Sequence, residues 1–205
     1  MGQETIAIID YGMGNLRSVQ KALEKNGAKA VITQKSRDIQ KADKVVLPGV
    51  GAIKSAVEKL SELALIDVIE KAIQNGKPFL GICLGLQLLF EKSDEGGKVE
   101  GLGILKGTVK RFQSLKVPQI GWNQLHLSQK GNPLFKGIAE GANVYFCHSY
   151  FVEPEDKSVV AATTDYGRNY TSSIWKNNLF GVQFHPEKSQ TIGLKLLKNF
   201  TELKA

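Results

Sequence analysis

The sequence predicts an α/β protein: an open, largely parallel wound sheet with flanking helices, extended by an antiparallel β-rich portion in the second half. Three observations predict it. Apolar runs of strand length alternate with helical spacing up to about residue 91. From Gly96 to about residue 184 the segments are rich in β-branched residues, glycine and turns. Finally, 42% of the 205 residues are hydrophobic and 23% charged, near the globular average, so the chain can bury a full core as one domain over 1–205.

Taken in order, TIAIID (5–10) is a short apolar run closed by turn residues, and Leu16, Val19 and Leu23 give residues 14–26 helical spacing. AKAVIT (28–33) and KVVLPG (44–49) read as the next two strands. Between 52 and 75, Ile53, Ala56, Val57, Leu60, Leu63, Ile66 and Ile69 spell one long amphipathic helix or two short ones. KPFLGIC is a fourth strand, followed by a helix from about Leu84 to Glu91. NVYFCHSYFVE, SVVAATT, YTSSIWK and LFGVQFH are predicted as shorter, partly antiparallel strands. Ile192, Leu196, Leu197 and Phe200 mark a closing helix from about Ser189 to Leu203. No repeat, linker or low-complexity tract divides the chain.

Composition excludes several functions. The net charge is +7, but the basic residues are scattered rather than interleaved with aromatics. That pattern fits a solvated face, or a match to an acidic partner, and not a nucleic-acid surface. No apolar run approaches the roughly 18 to 20 residues of a membrane span, and the amino-terminal segment lacks a leader's basic–apolar–cleavage pattern. Two cysteines make no disulfide framework, so the chain reads as cytoplasmic. No Cys or His pair has metal-ligand spacing. YGMGNL opens like a dinucleotide fingerprint, but Arg17 stands at its third glycine and no ribose-binding acid ends the second strand. Neither metal nor cofactor is expected.

The chemistry gathers around Gly81-Ile82-Cys83-Leu84-Gly85. A Gly-x-nucleophile-x-Gly run between strand and helix is the layout of a nucleophile elbow, where glycines relieve backbone crowding. Free N–H groups at the helix start favour a thiolate, and the Leu84 N–H is placed to hold an oxyanion. The alternative for Cys83 is core packing. Of the three histidines, His126 reads as a surface-strand residue, and His148 as structural or pocket-lining. His185 stands before Pro186, which holds it extended. In extended chain, i and i+2 share a face, so Glu187 can reach the imidazole as the carboxylate of a triad. The glycine-rich LPGVGAI turn (47–53) offers Gly49 and Val50 as second oxyanion donors at the strand ends. Cys147, inside a strand, reads as core.

GICLGLQ followed downstream by HPE resembles the class I, triad-type glutamine amidotransferases. DYGMGNLRSV, LPGVGAI, GWNQL, CHSYFV and QFHPEKS make it similar, within them, to the glutaminase subunits of imidazole glycerol phosphate synthase, from about Ile6 to the last helix. Gln119 departs from a histidine common in the family, and Leu86 from a methionine. The resemblance implies hydrolysis of L-glutamine to glutamate and ammonia in histidine biosynthesis. It implies a heterodimer with a (β/α)₈-barrel cyclase that receives the ammonia directly. Gly51, Gln87, His148, Ser149 and Tyr150 match positions lining the family's glutamine pocket. Tyr11, Asn15, Trp122, Tyr145 and Lys188 are expected near the partner interface or ammonia passage. The rival readings are a glutaminase serving another synthase, a lone cysteine hydrolase acting on esters, and a non-catalytic binding module.

Overall fold

The computed structural model describes residues 4–97, 99–113 and 115–204. The first half winds as β1 (Thr5–Ile9), α1 (Leu16–Lys25), β2 (Lys29–Thr33), α2 (Ser36–Lys41), β3 (Lys44–Gly49), α3 (Ile53–Glu62), α4 (Ile66–Gln74), β4 (Phe79–Cys83) and α5 (Leu84–Leu88). Its strands pair in parallel in the order β2-β1-β3-β4. Parallel strands of this kind need both faces covered, and residue alternation supplies two apolar faces. Ile6 and Ile8 join one buried cluster with Val19 and Leu23 of α1. Ala7 and Ile9 join the other, with Ile53 and Leu60 of α3 and Ile69 of α4.

The second half adds β5 (Phe90–Ser93), β6 (Val99–Glu100), β7 (Leu105–Arg111), β8 (Gln119–Gln124), β9 (His126–Leu127), β10 (Asn143–His148), β11 (Tyr150–Pro154), β12 (Val160–Asp165), β13 (Asn169–Lys176), β14 (Leu179–Val182) and α6 (Gln190–Thr201). β14 lies parallel to β4, with Val182 beside Ile82. Antiparallel β13 then carries the sheet on to β11, β7, β5 and β6. Leu196, Leu197 and Phe200 of α6 pack in the cluster that holds α1. Three parallel neighbours, β3, β4 and β14, therefore end side by side at Gly49, Cys83 and Val182. The carboxyl ends of such strands are where wound sheets bind ligands. Among the described residues, no helix is long and apolar enough to cross a membrane.

Local expectations give way where pairing or packing overrides periodicity. Ser36–Lys41 forms a helix that apolar spacing did not signal, since only Ile39 is buried. The 52–75 stretch is two helices, because Ala64 turns left-handed at φ 52°. The helix expected to reach Glu91 stops at Leu88, since Phe90–Ser93 is taken up by pairing with β6 and β7. NVYFCHSYFVE is not one strand. It breaks at Ser149, so that β10 joins β8 in a separate ribbon while β11 joins β7 and β13. In β10, Val144, Phe146 and His148 face inward and Asn143 and Cys147 outward. Cys147, expected in the core, is exposed.

Candidate active site

The elbow follows from crowding. The chain leaves a fully buried strand and starts a helix at the next residue, which puts Cys83 at φ 54°, ψ −107°. Non-glycine residues rarely occupy positive φ, and holding one there costs about 1–3 kcal/mol. A Cβ at Gly81 would sit 2.7 Å from the Gly85 carbonyl oxygen, and one at Gly85 would overlap the carbonyl oxygen of Leu47. With glycine at both places, α5 closes onto its own strand and onto β3. Cys83 is 5% exposed and lines a cavity of about 290 Å³.

His185 reaches the same cavity from the end of β14. Its backbone is extended (φ −101°, ψ 96°), and its N–H donates to the Tyr145 carbonyl at 2.9 Å. Its Nδ1 lies 2.9 Å from Glu187 Oε1, with both side chains buried. Extended alternation does not make this contact, contrary to expectation. Pro186–Lys188 is a 3₁₀ turn that carries the carboxylate round to the ring. Burial, the largest influence on His185, pushes its pKa down, but the Cys83 sulfur and the Glu187 carboxylate outweigh it and raise the group to about 10. The imidazole is therefore a cation, beside the sulfur and backed by a buried carboxylate. Glu187 Oε2 is buried without a hydrogen-bond partner among the described residues.

His148 lines the cavity too, in the opposite state. Its Nδ1 is 2.7 Å from the Tyr150 carbonyl and its Nε2 3.3 Å from the Tyr170 hydroxyl. The rings of Phe112, Phe146 and Tyr170 stand around it at 5.4, 5.6 and 5.5 Å. Burial lowers it to about 4; the bond to Tyr150 opposes the shift and the nearby His185 adds to it. It is neutral, with Nδ1–H donating to Tyr150. His126 is on the surface, 2.9 Å from Glu140.

The other expected residues fall into three groups. Gly49 pairs with Cys83 across the β3–β4 ladder, Leu84 follows the thiol, and Val50 and Gly51 stand exposed at the cavity rim. Gln87, Ser149 and Tyr150 line the wall. Of the residues expected at the interface or passage, Trp122 packs edge-on to Tyr145 at 6.0 Å, with the Lys188 ammonium 5.9 Å over the Tyr145 ring. Asn15 is exposed at the start of α1. Tyr11 is 1% exposed and offers no interface surface. Its hydroxyl packs against Gly49 without a hydrogen-bond partner among the described residues. Burial first, and Cys83 second, hold that hydroxyl well above the usual tyrosine range.

Sequence reasoning missed Glu95, Gln183 and Ser189. Glu95 lines the cavity and accepts the Ile53 N–H at 2.7 Å, at the start of α3. Nothing in SDEGG marks one acid over the other, and only the fold selects it. The Ser189 hydroxyl donates to the His185 carbonyl at 2.6 Å and accepts the Tyr145 N–H at 2.9 Å, stapling the histidine loop to β10. Gln183, the residue after β14, meets the Cys83 sulfur only because β14 lies beside β4, a pairing the local sequence does not show.

Fold and site together have the layout of a cysteine-based α/β protein that acts on a carbonyl carbon. Residues 7–203 match the family described as "Glutamine amidotransferase class-I", and the chain belongs to that family. Two solved structures share the fold: "Crystal structure of glutamine amidotransferase" (TM-score 0.76, 19% identity, 96% of this chain and 97% of that one) and "Structure of PurLQS from Thermotoga maritima" (TM-score 0.74, 22% identity, 97% and 98%). More similar in sequence are proteins named imidazole glycerol phosphate synthase subunit HisH. The one from Syntrophotalea carbinolica is 51% identical over 97% of this chain and 100% of its own length. The one from Aquifex aeolicus is 57% identical over 94% of each.

Proposed function

We propose that the chain works as one domain, the glutaminase subunit of an imidazole glycerol phosphate synthase of cytoplasmic histidine biosynthesis. In this reading it hydrolyses L-glutamine and passes ammonia to a (β/α)₈-barrel cyclase. The observation that carries it is convergence: a thiol on a strained elbow and a cationic imidazole backed by a carboxylate line one cavity. The full-length likeness to the HisH subunits supplies the biological setting.

The chemistry follows from the charges. Cys83 thiolate attacks the side-chain amide carbon of glutamine, and backbone N–H groups of Leu84 and the 49–50 turn hold the oxyanion. His185 gives its proton to the amide nitrogen, the C–N bond breaks, and ammonia leaves a thioester on Cys83. The now neutral imidazole takes a proton from water, whose oxygen attacks the thioester; the thiolate departs and glutamate is released. Glu187 keeps the ring oriented and balances its charge. Gln87, Ser149, Tyr150, Gly51 and neutral His148 line the rest of the substrate's path, and Glu95 supplies the carboxylate for its α-ammonium group. Losing one oxyanion donor would slow the step on the order of 10²- to 10³-fold.

Asn15 and the Trp122–Tyr145–Lys188 cluster support a docking surface, while Tyr11, buried against Gly49, is no part of that surface and keeps only its place near the ammonia passage. Direct transfer makes physical sense, because ammonia released to neutral water is protonated and no longer nucleophilic. The test is glutamate release by the chain alone, with a barrel cyclase, and with cyclase plus its nucleotide ligand. Stimulation by the loaded cyclase and silence of Cys83→Ala are expected. Full activity of Cys83→Ala, or stimulation only by an unrelated synthase, would overturn the reading.

A further inference from the structure

On its cavity side the Cys83 sulfur meets His185; on its interior side it meets Gln183. This glutamine follows the last residue of β14, and its backbone N–H donates to the Ser172 carbonyl at 2.9 Å. Because Val182 stands beside Ile82, the next residue along each strand is Gln183 and Cys83. The Gln183 side chain is completely buried, and its Nε2 lies 3.7 Å from Cys83 Sγ.

The polarity of that contact is imposed from elsewhere. The Tyr150 backbone carbonyl can only accept, so the amide nitrogen of Gln87 must face it, and does so at 3.0 Å. The same nitrogen is 3.0 Å from Gln183 Oε1, and its two hydrogens serve the two oxygens. Turning the Gln183 amide over would set two donors against each other and aim a carbonyl oxygen at the sulfur. A single backbone carbonyl thus determines, through two amides, that an N–H is what points at Sγ. Neither amide has a proton to surrender near neutral pH, so this side of the sulfur favours its anion without competing with His185 for the proton.

We propose that Gln183 is a positioning residue for the nucleophile, holding the Cys83 sulfur in its elbow rotamer and stabilising the thiolate through a buried amide N–H that Gln87 orients. The inference rests on the reading of Cys83 as the nucleophile. Hydrogen bonds to a charged partner are stronger than those between neutral groups, so losing this one is expected to matter most when the sulfur is ionised.

The test uses Gln183→Met, close in size and without a donor. Iodoacetamide alkylation of Cys83 is followed by peptide mass spectrometry, with the wild-type chain under the same conditions as the reference, because Cys147, though exposed, lines the same cavity. Relative to wild type, Cys83 alkylation at pH 7 is expected to fall roughly tenfold. Glutamine kcat should fall about tenfold with KM within about twofold. Cys83 alkylation at pH 7 unchanged from wild type in folded Gln183→Met would overturn the proposal. Should that variant not fold, the wild-type protein decides. The Gln183 side-chain amide proton must shift as Cys83 ionises, and must not do so in Cys83→Ala; a resonance that never moves is the contrary result. A Cys83→Ala chain that still hydrolyses glutamine would sink the nucleophile reading, while the amide resonance reports on the sulfur contact separately.

Discussion

The ends of β10 and β14 each deliver a buried histidine to the same cavity, one ring neutral and the other a cation. Both suffer the desolvation that disfavours an imidazolium. His148 has only neutral partners, a backbone carbonyl and a tyrosine hydroxyl, and sits near 4. His185 has a carboxylate and a sulfur, and sits near 10. Burial alone therefore does not decide the state of a buried histidine; the charge of what it touches does. One strand end is built to keep a ring silent, the other to keep a proton ready.

The comparison can be broken most severely at His185. His185→Asn removes the proton donor of the proposed mechanism, and glutamate release is expected to fall about 10²- to 10⁴-fold in a steady-state assay. A subtler break is Glu187→Gln, which keeps an acceptor near Nδ1 but removes its charge. The rate should fall on the order of 10²-fold, and the His185 ring, followed by NMR titration, should move from about 10 toward its ordinary 6.5. A titration point that stays near 10 would mean that the sulfur alone holds the charge.

Stability against pH sharpens the same contrast, with opposite signs at the two ends. The folded value of His185 lies above 6.5, so its contribution is complete below pH 6.5 and is lost as pH rises through about 10. The folded value of His148 lies below 6.5, so its contribution is present above pH 6.5 and is lost as pH falls toward about 4, by roughly 3 kcal/mol. Urea unfolding of His148→Phe is expected to lose much of that acid slope, and that of Glu187→Gln much of the alkaline one. If the acid slope is the same with and without His148, its neutral burial is not what acid attacks. The smallest effect belongs to the third histidine. His126 is exposed beside exposed Glu140, and His126→Asn should leave the rate and both limbs of the stability profile unchanged.

How much of this was legible differs element by element. The β1 to β4 strands and the helices α1, α3 and α4 were readable because one residue's neighbours decide whether an alternating or a helical stripe can be buried, while α2, with only Ile39 buried, was not. KVVLPG is observed as a strand over the same residues, 44–49. The first glycine of the Gly-x-Cys-x-Gly elbow answers a local crowding, Gly81 against the Gly85 carbonyl, whereas Gly85 is required by the Leu47 carbonyl that only strand pairing brings near. Glu187 was correctly set against His185 for a reason that proved wrong, since a 3₁₀ turn and not strand alternation brings them together. Cys147 was misplaced because apolar neighbours on both sides masked an alternation already present in Val144, Phe146 and His148.

By itself, the sequence determined where chemistry could sit: which thiol stands between glycines, which imidazole has an acid two residues on, and which runs form a sheet. These are matters of covalent spacing and local sterics, complete within a few residues. Only the tertiary structure decided the rest. It set β14 beside β4, so that Gln183 meets Cys83 and His185 reaches the cavity. It sank Tyr11 beneath Gly49, brought Glu95 to the cavity, and sorted two like histidines into one cation and one neutral ring. The physical reason is that charge state and contact depend on dielectric and distance in three dimensions, and residues far apart in the chain supply both.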